Sequence, residues 1–206
     1  MTIRLHRGDL PDLSRYSGAV AIDTETMGLN LGRDRLCLVQ LSPGDGSADA
    51  VQIPAQPQPG SAPNLMRLLA DRSLLKIFHF ARFDLATLYK AFGVMAEPVY
   101  CTKIASRLVR TYTDKHGLKD LVREVLGHDH SKQQQLSDWG AGELTDAQIS
   151  YAAADVIYLH ALRERLDAML MREGREKLAA ACFRFLPERA RLDIAGFAAE
   201  DIFAHS

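Results

Sequence analysis

The chain has 206 residues, 25 of them Lys or Arg and 26 Asp or Glu, for a net charge of −1. That length suits one domain with a terminal elaboration and an ample core, and 47% hydrophobic with 25% charged residues is ordinary for a soluble globular protein. The charge balance excludes a broad positive field, so any nucleic-acid binding has to come from a local groove. The three cysteines, Cys37, Cys101 and Cys182, are odd in number and far apart, which favours buried reduced thiols over disulfides. The first residues lack the apolar core of a signal peptide. No stretch approaches the ~20 apolar residues of a membrane span. A cytoplasmic protein without membrane contact is expected.

In chain order, residues 18–23 form a run of Val, Ile and Ala and read as a buried strand. Residues 35–42 and 48–53 read as a second and third strand. Gly28, Gly32, Pro43, Gly44 and Gly46 punctuate the turns, and such short connections favour antiparallel neighbours. Residues 52–63 hold four prolines and read as a loop. A helix over 64–71, a strand over 75–78, a helix over 82–92 and a short fifth strand at 99–100 follow. Helices are expected over 103–110 and 118–126, the latter stopped by Gly127. Thr145 and Gln148 have capping-box spacing, and one long helix should run from 146 to 172, ended by Gly174. The remainder, 176–203, reads as helix broken at Pro187 and at Gly196. A mixed sheet first and helices afterwards predicts an α/β fold. Residues 1–174 would be the main domain, and 175–206 a helical C-terminal extension packed on it.

Four acids carry the chemistry. Asp23 and Glu25 end the first strand, where i and i+2 project to one side and Thr24 to the other; an acidic pair in a polar turn is the plainer alternative. Asp84 lies near a helix start, where favourable interaction with the helix dipole would already explain an acid. Tyr151 and Asp155 are i, i+4 on one helix face. Either they are a core-edge aromatic and a solvated charge, or Asp155, among Ala152, Val156 and Leu159, has a cation or a hydrogen-bond donor as partner. Together, four carboxylates and a phenol make a site for two hard divalent cations, and such a site hydrolyses phosphodiesters.

These segments resemble the DEDD exonuclease superfamily, in the subgroup with tyrosine in its third motif, and most of all ribonuclease D. Asp23-Thr24-Glu25-Thr26 matches the first motif, residues 79–84 the second and 151–155 the third, with further likeness at 36–40, 116–121 and 137–139. The resemblance implies a ribonuclease H-like fold with a mixed five-stranded sheet flanked by helices. It also implies a 3′→5′ exonuclease that uses two Mg²⁺ or Mn²⁺ ions and releases nucleoside 5′-monophosphates. Asp23 would bridge both ions, Glu25 and Asp155 would hold the ion that activates water, and Asp84 would support the second, partly through water. Tyr151 would orient the attacking water. Single-stranded 3′ ends of RNA are the implied substrate, with DNA left open, as is monomer against homodimer. One departure is Phe80, where relatives often carry Asn against the terminal nucleotide. Another is length: the chain ends before the helical nucleic-acid-binding domains of bacterial ribonuclease D, which implies a weaker grip and lower processivity.

The same likeness suggests substrate contacts. Thr26, Met27, Gly28 and Leu29 would meet the terminal base and sugar, with Met27 or Leu29 as an apolar wedge; a plain turn is the competing reading. His79 would contact phosphate or sugar, Phe80 would fill space or stack, and Lys132 would pair with a phosphate. Trp139 would stack on a base or, as the preferred reading, pin its loop. Arg107, Arg110, Lys115 and Lys119 could form a basic strip. Three rivals compete. A haloacid-dehalogenase-like phosphatase needs Asp-x-Asp, whereas the second acid here is Glu25. A catalytically weak nuclease-fold protein that only binds nucleic acid would not need all four acids. A helical interaction module over 146–203 leaves the early acids unexplained.

Overall fold

β-Branched and small apolar residues alternate across two faces in the first half of the chain, and a sheet forms there. The computed structural model describes residues 2–56, 60–129 and 137–205. Its strands are β1 (Thr2–Arg7), β2 (Ala19–Thr26), β3 (Leu36–Ser42), β4 (Ser47–Gln52), β5 (Leu75–Phe78) and β6 (Val99–Cys101). They form one six-stranded sheet in the order β1-β4-β3-β2-β5-β6. β3 runs antiparallel to β2 and β4, and the other three pairings are parallel.

The sheet has one strand more than the five expected. β1 is a polar edge strand whose apolar residues are Ile3 and Leu5, the latter exposed, so it carries little periodic signal. Polar contacts help to hold it. His6 Nε2 lies 2.9 Å from Oδ1 of the buried Asp49 on β4, and the Tyr16 hydroxyl donates to Asp49 Oδ2 at 2.7 Å.

The helices are α1 (Pro63–Ala70), α2 (Ala81–Phe92), α3 (Thr102–Val109), α4 (Leu118–Leu121), α5 (Asp146–Ile157), α6 (Leu159–Arg172) and α7 (Glu176–Leu192). α4 runs on as a π-helical turn, Val122–Leu126, which Gly127 ends at φ 73°. Strand alternation sorts two cores. Val20, Ile22, Val39 and Leu41 face one side with Leu85 and Leu88 of α2 and Leu186 and Ala190 of α7. Ala21 and Ile77 face the other, with Ala105 and Val109 of α3 and Leu159, Leu162 and Leu166 of α6.

Two helix expectations are corrected. The long helix over 146–172 is two helices meeting at Tyr158 (φ −90°, ψ −12°). The break lets α5 lie on β2, β3 and β4 while α6 packs against α3. The capping box is present, with the Gln148 amide donating to Thr145 Oγ1 and the Thr145 amide to Gln148 Oε1. Pro187 does not interrupt α7, because the helix buries Ala179, Leu186, Pro187 and Ala190 on one face and this packing outweighs the missing amide hydrogen bond. The chain bends instead at Gly196, φ 102°.

Beyond α7 the chain is tied back to the start of α2. Arg82 Nε donates to Oδ2 of the buried Asp193 at 2.7 Å, and its Nη2 to Asp193 Oδ1 at 2.5 Å and to the Ala198 carbonyl at 3.0 Å. Arg189 Nη2 lies 2.9 Å from Asp193 Oδ1. All three cysteines are free thiols. Among the described residues no helix is long and apolar enough to cross a membrane.

Candidate active site

β2 is accompanied unequally by its neighbours. β5 pairs only with its residues 19–21, whereas β3 follows it to Thr26. The carboxyl end of β2 is therefore open on the β5 side, at the point where strand direction reverses, which is where open α/β sheets bind ligands. A register shift between Glu25 and Thr26 bends the strand there. The alternation that sends Val20 and Ile22 toward α2 and Ala21 the other way continues into the acids. Asp23 and Glu25 turn to the face that carries α5. One ligand oxygen each from Asp23, Glu25 and Asp155 lies within 4.8 Å of the others. Thr24 turns to the α2 face, and its hydroxyl donates to Asp84 Oδ1 at 2.7 Å. Asp84 lines the same cleft, held by the residue between two members of the three-carboxylate group, and its charge acts on Asp23 and Glu25.

Crowding in a desolvated place governs the protonation of these groups. Asp84 and Asp155 are only 4% and 8% exposed. Burial, then the charges of Asp155 and Asp84, push Glu25 up to about 9. Burial raises Asp84 to about 7 against the lowering effect of the Thr24 hydrogen bond. Asp23 is driven well above the usual carboxylate range by burial, then by Asp84, Asp155 and Glu25. The Tyr151 phenol is raised by burial, then by the charges of Asp155, Glu25 and Asp23, and it shares a hydrogen bond with Asp155. Oxygen donors that cannot all ionise alone could hold a hard cation.

The four carboxylates and Tyr151 line one cleft of about 540 Å³, together with Thr26, Met27, Gly28, Leu29, His79, Phe80 and Trp139. Leu29, at 84% exposed, is an apolar side chain held out in solvent beside it. The Thr26 hydroxyl donates to the Gly28 carbonyl within the turn. At Gly28 a Cβ would lie 2.3 Å from Asp34 Oδ2, so the close approach served by this glycine is to Asp34. His79 Nδ1 is 2.9 Å from Thr102 Oγ1. Trp139 is 3% exposed, its ring centroid 6.1 Å from that of Tyr151, and a base could reach little of it. Its loop is fastened by Gln148 Nε2 to the Asp138 carbonyl at 3.1 Å and Gln52 Nε2 to the Ala141 carbonyl at 2.9 Å. Lys132 lies outside the described residues.

The expected basic strip is not formed as such. Arg110 is fully buried, donating to Ser106 Oγ and the Lys115 carbonyl and paired with Glu124; of the four residues only Lys119 lines the cleft. Phe83 and Lys103 line it too and were missed. Phe83 stands inside the second motif, next to Asp84. Lys103 gives no sequence signal, because nothing distinguishes it from a solvated lysine on an amphipathic helix.

Clustered acids and a phenol at the carboxyl end of a central strand in this mixed sheet define a ribonuclease H-like nuclease fold, here with C-terminal helices packed into the core. The sequence profile of the 3′-5′ exonuclease family matches residues 10–171, and the chain belongs to that family. Ribonuclease D of Acidiphilium cryptum is 37% identical over 156 residues, which is 76% of this chain and 39% of that protein. The chain thus spans about two-fifths of the length of such curated relatives. The structure of Brucella melitensis NrnC with bound Mg²⁺ superposes with a TM-score of 0.95 at 60% identity, over 100% of both chains. The structure of the same protein bound to pGG is matched at 0.96. Escherichia coli RNase D, an exoribonuclease involved in structured RNA processing, is matched at 0.74 and 27% identity, over 86% of this chain and 46% of that one.

Proposed function

We propose that this chain is a metal-dependent 3′→5′ exonuclease that hydrolyses single-stranded 3′ ends of RNA and releases nucleoside 5′-monophosphates. The observation that carries the reading is the convergence of Asp23, Glu25 and Asp155 oxygens within 4.8 Å, with Asp84 lining the same cleft. The donor set is all oxygen and carries more potential charge than it can hold unaided, which fits Mg²⁺ or Mn²⁺. Asp23 would bridge two ions, Glu25 and Asp155 would hold one, and Asp84 would support the other, partly through water. When bound, the ions would acidify the attacking water and offset charge on the leaving oxygen.

The remaining work belongs to side chains. Tyr151, tethered to Asp155, would orient the attacking water, and Trp139, with its ring centroid 6.1 Å from that of Tyr151, would keep the phenol from swinging away. Met27 or Leu29 would part the last two bases. The Brucella structures, one with bound Mg²⁺ and one bound to pGG, support both the cation and a short ligand in the cleft, and the cleft has the volume of a small-ligand site. Residues 1–174 would constitute the exonuclease domain, braced by the extension 175–206.

The test is a degradation time course on matched single-stranded, duplex and overhanging RNA and DNA, with Mg²⁺, with Mn²⁺ and with chelator. Metal-dependent release of mononucleotides from single-stranded RNA is expected. Binding without release would leave a nucleic-acid-binding module instead. Tyr151→Phe should slow single-turnover hydrolysis by about 10²-fold, within the range of a lost proton-handling group. It should keep the Mg²⁺-induced rise in melting temperature, and loss of that rise would show Tyr151 to be structural.

A further inference from the structure

Phe80 is the one residue other than glycine with positive φ among the described residues, at φ 68° and ψ 42°. A bulky side chain is a genuine outlier there. Such strain persists only where the surroundings impose it, and it clusters at ligand sites. The residue caps α2 without a side-chain hydrogen bond and is 44% exposed, so neither capping nor burial explains it. What the conformation does is lay the ring beneath Lys103, whose Nζ stands 4.3 Å from the ring centroid, a cation–π contact. Lys103 is itself in an unfavourable place, the first turn of α3, where the helix dipole opposes a cation. Two residues that each break a local rule meet in one contact on the wall of the cleft, and violations of this kind mark functional positions.

The charge balance says what the contact is for. A polyanion entering a pocket of four acids needs positive charge away from the metal ligands. Lys103 and Lys119 are the two ammonium groups among the described residues lining the cleft. We propose that Lys103 binds a backbone or terminal phosphate of the RNA, with the Phe80 ring as the platform that fixes its ammonium over the cleft. The proposal rests on the exonuclease reading for its ligand.

The test is the affinity of a 5′-phosphorylated short single-stranded RNA, measured by fluorescence anisotropy with Ca²⁺ to suppress turnover, over a salt series. Lys103→Met should raise Kd about tenfold, as expected for one lost charge-assisted contact. It should also reduce the slope of log affinity on log salt by about 0.7, the value for one phosphate contact on a single strand. Lys103→Arg should restore both. Phe80→Leu should weaken binding less, and the double variant should bind no more weakly than Lys103→Met alone. An unchanged Kd and slope in Lys103→Met would overturn the assignment, and additive losses in the double variant would remove Phe80 from it. Mg²⁺-induced thermal shifts in every variant establish that the fold and the acid cluster survive. RNA binding that depends on Lys103, without mononucleotide release by the wild type, overturns only the exonuclease reading. Active wild type with indifferent Lys103→Met overturns only this one, and a wild type that binds no RNA overturns both.

Discussion

Asp23→Asn and Asp155→Asn should each lower turnover by about a thousand-fold or more, since each removes a charged oxygen from a site whose ions must be worth several kcal/mol to the reaction. An amide keeps the size and most of the hydrogen bonding of the carboxylate it replaces, so the backbone has no reason to move. The acids raise one another's proton affinity. Removing one charge therefore relieves repulsion in the metal-free protein, and each variant should melt in chelator at or above the wild-type temperature. Single-turnover assays with thermal melts separate the two effects. Near-normal turnover in either variant would refute the assignment of these oxygens.

The second large effect is a stability that depends on pH and metal together. In the unfolded chain these carboxylates titrate near 4. In the folded, metal-free chain Glu25 is held at about 9 and Asp84 at about 7. Between those limits the folded state binds more protons than the unfolded state, so stability falls as pH rises. The loss begins above the unfolded value and levels off once pH passes the folded ones. A cation that binds only the folded acids reverses it. At a Mg²⁺ concentration 100 times its dissociation constant the gain is about 2.7 kcal/mol, or about 5–10 °C for a chain of this size. Melting curves at pH 5, 6.5 and 8 with Mg²⁺ and with chelator should diverge as pH rises. Parallel curves, or a gap widest at pH 5, would contradict the acid cluster as the metal receptor.

How legible this molecule is in its sequence depends on the range of the interaction that decides each feature. β2 and β3 are legible because runs such as Val20-Ala21-Ile22 have few other ways to be buried. Asp23 and Glu25 are legible by strand alternation, and that same alternation foretells that Thr24 points elsewhere; that it would find Asp84 required the position of α2. The break at Tyr158 is invisible because Val156, Leu159, Leu162 and Leu166 continue the apolar period across it, all of them buried. Pro187 misleads in the opposite sense, a local breaker overruled by the packing of α7 on the core. β1 is decided by partners on β4 some forty residues away, and Lys103 by a ring on a different element.

The tie between Asp193 and Arg82 places a remote part of the chain in series with the chemistry. Arg82 stands two residues before Asp84, and neither Arg82 nor Asp193 lines the cleft. Damage to that anchorage would first be noticed as a sluggish enzyme, although no group that meets the nucleotide had been altered. On this reading the tail segment would act as a splint for the acid it never touches.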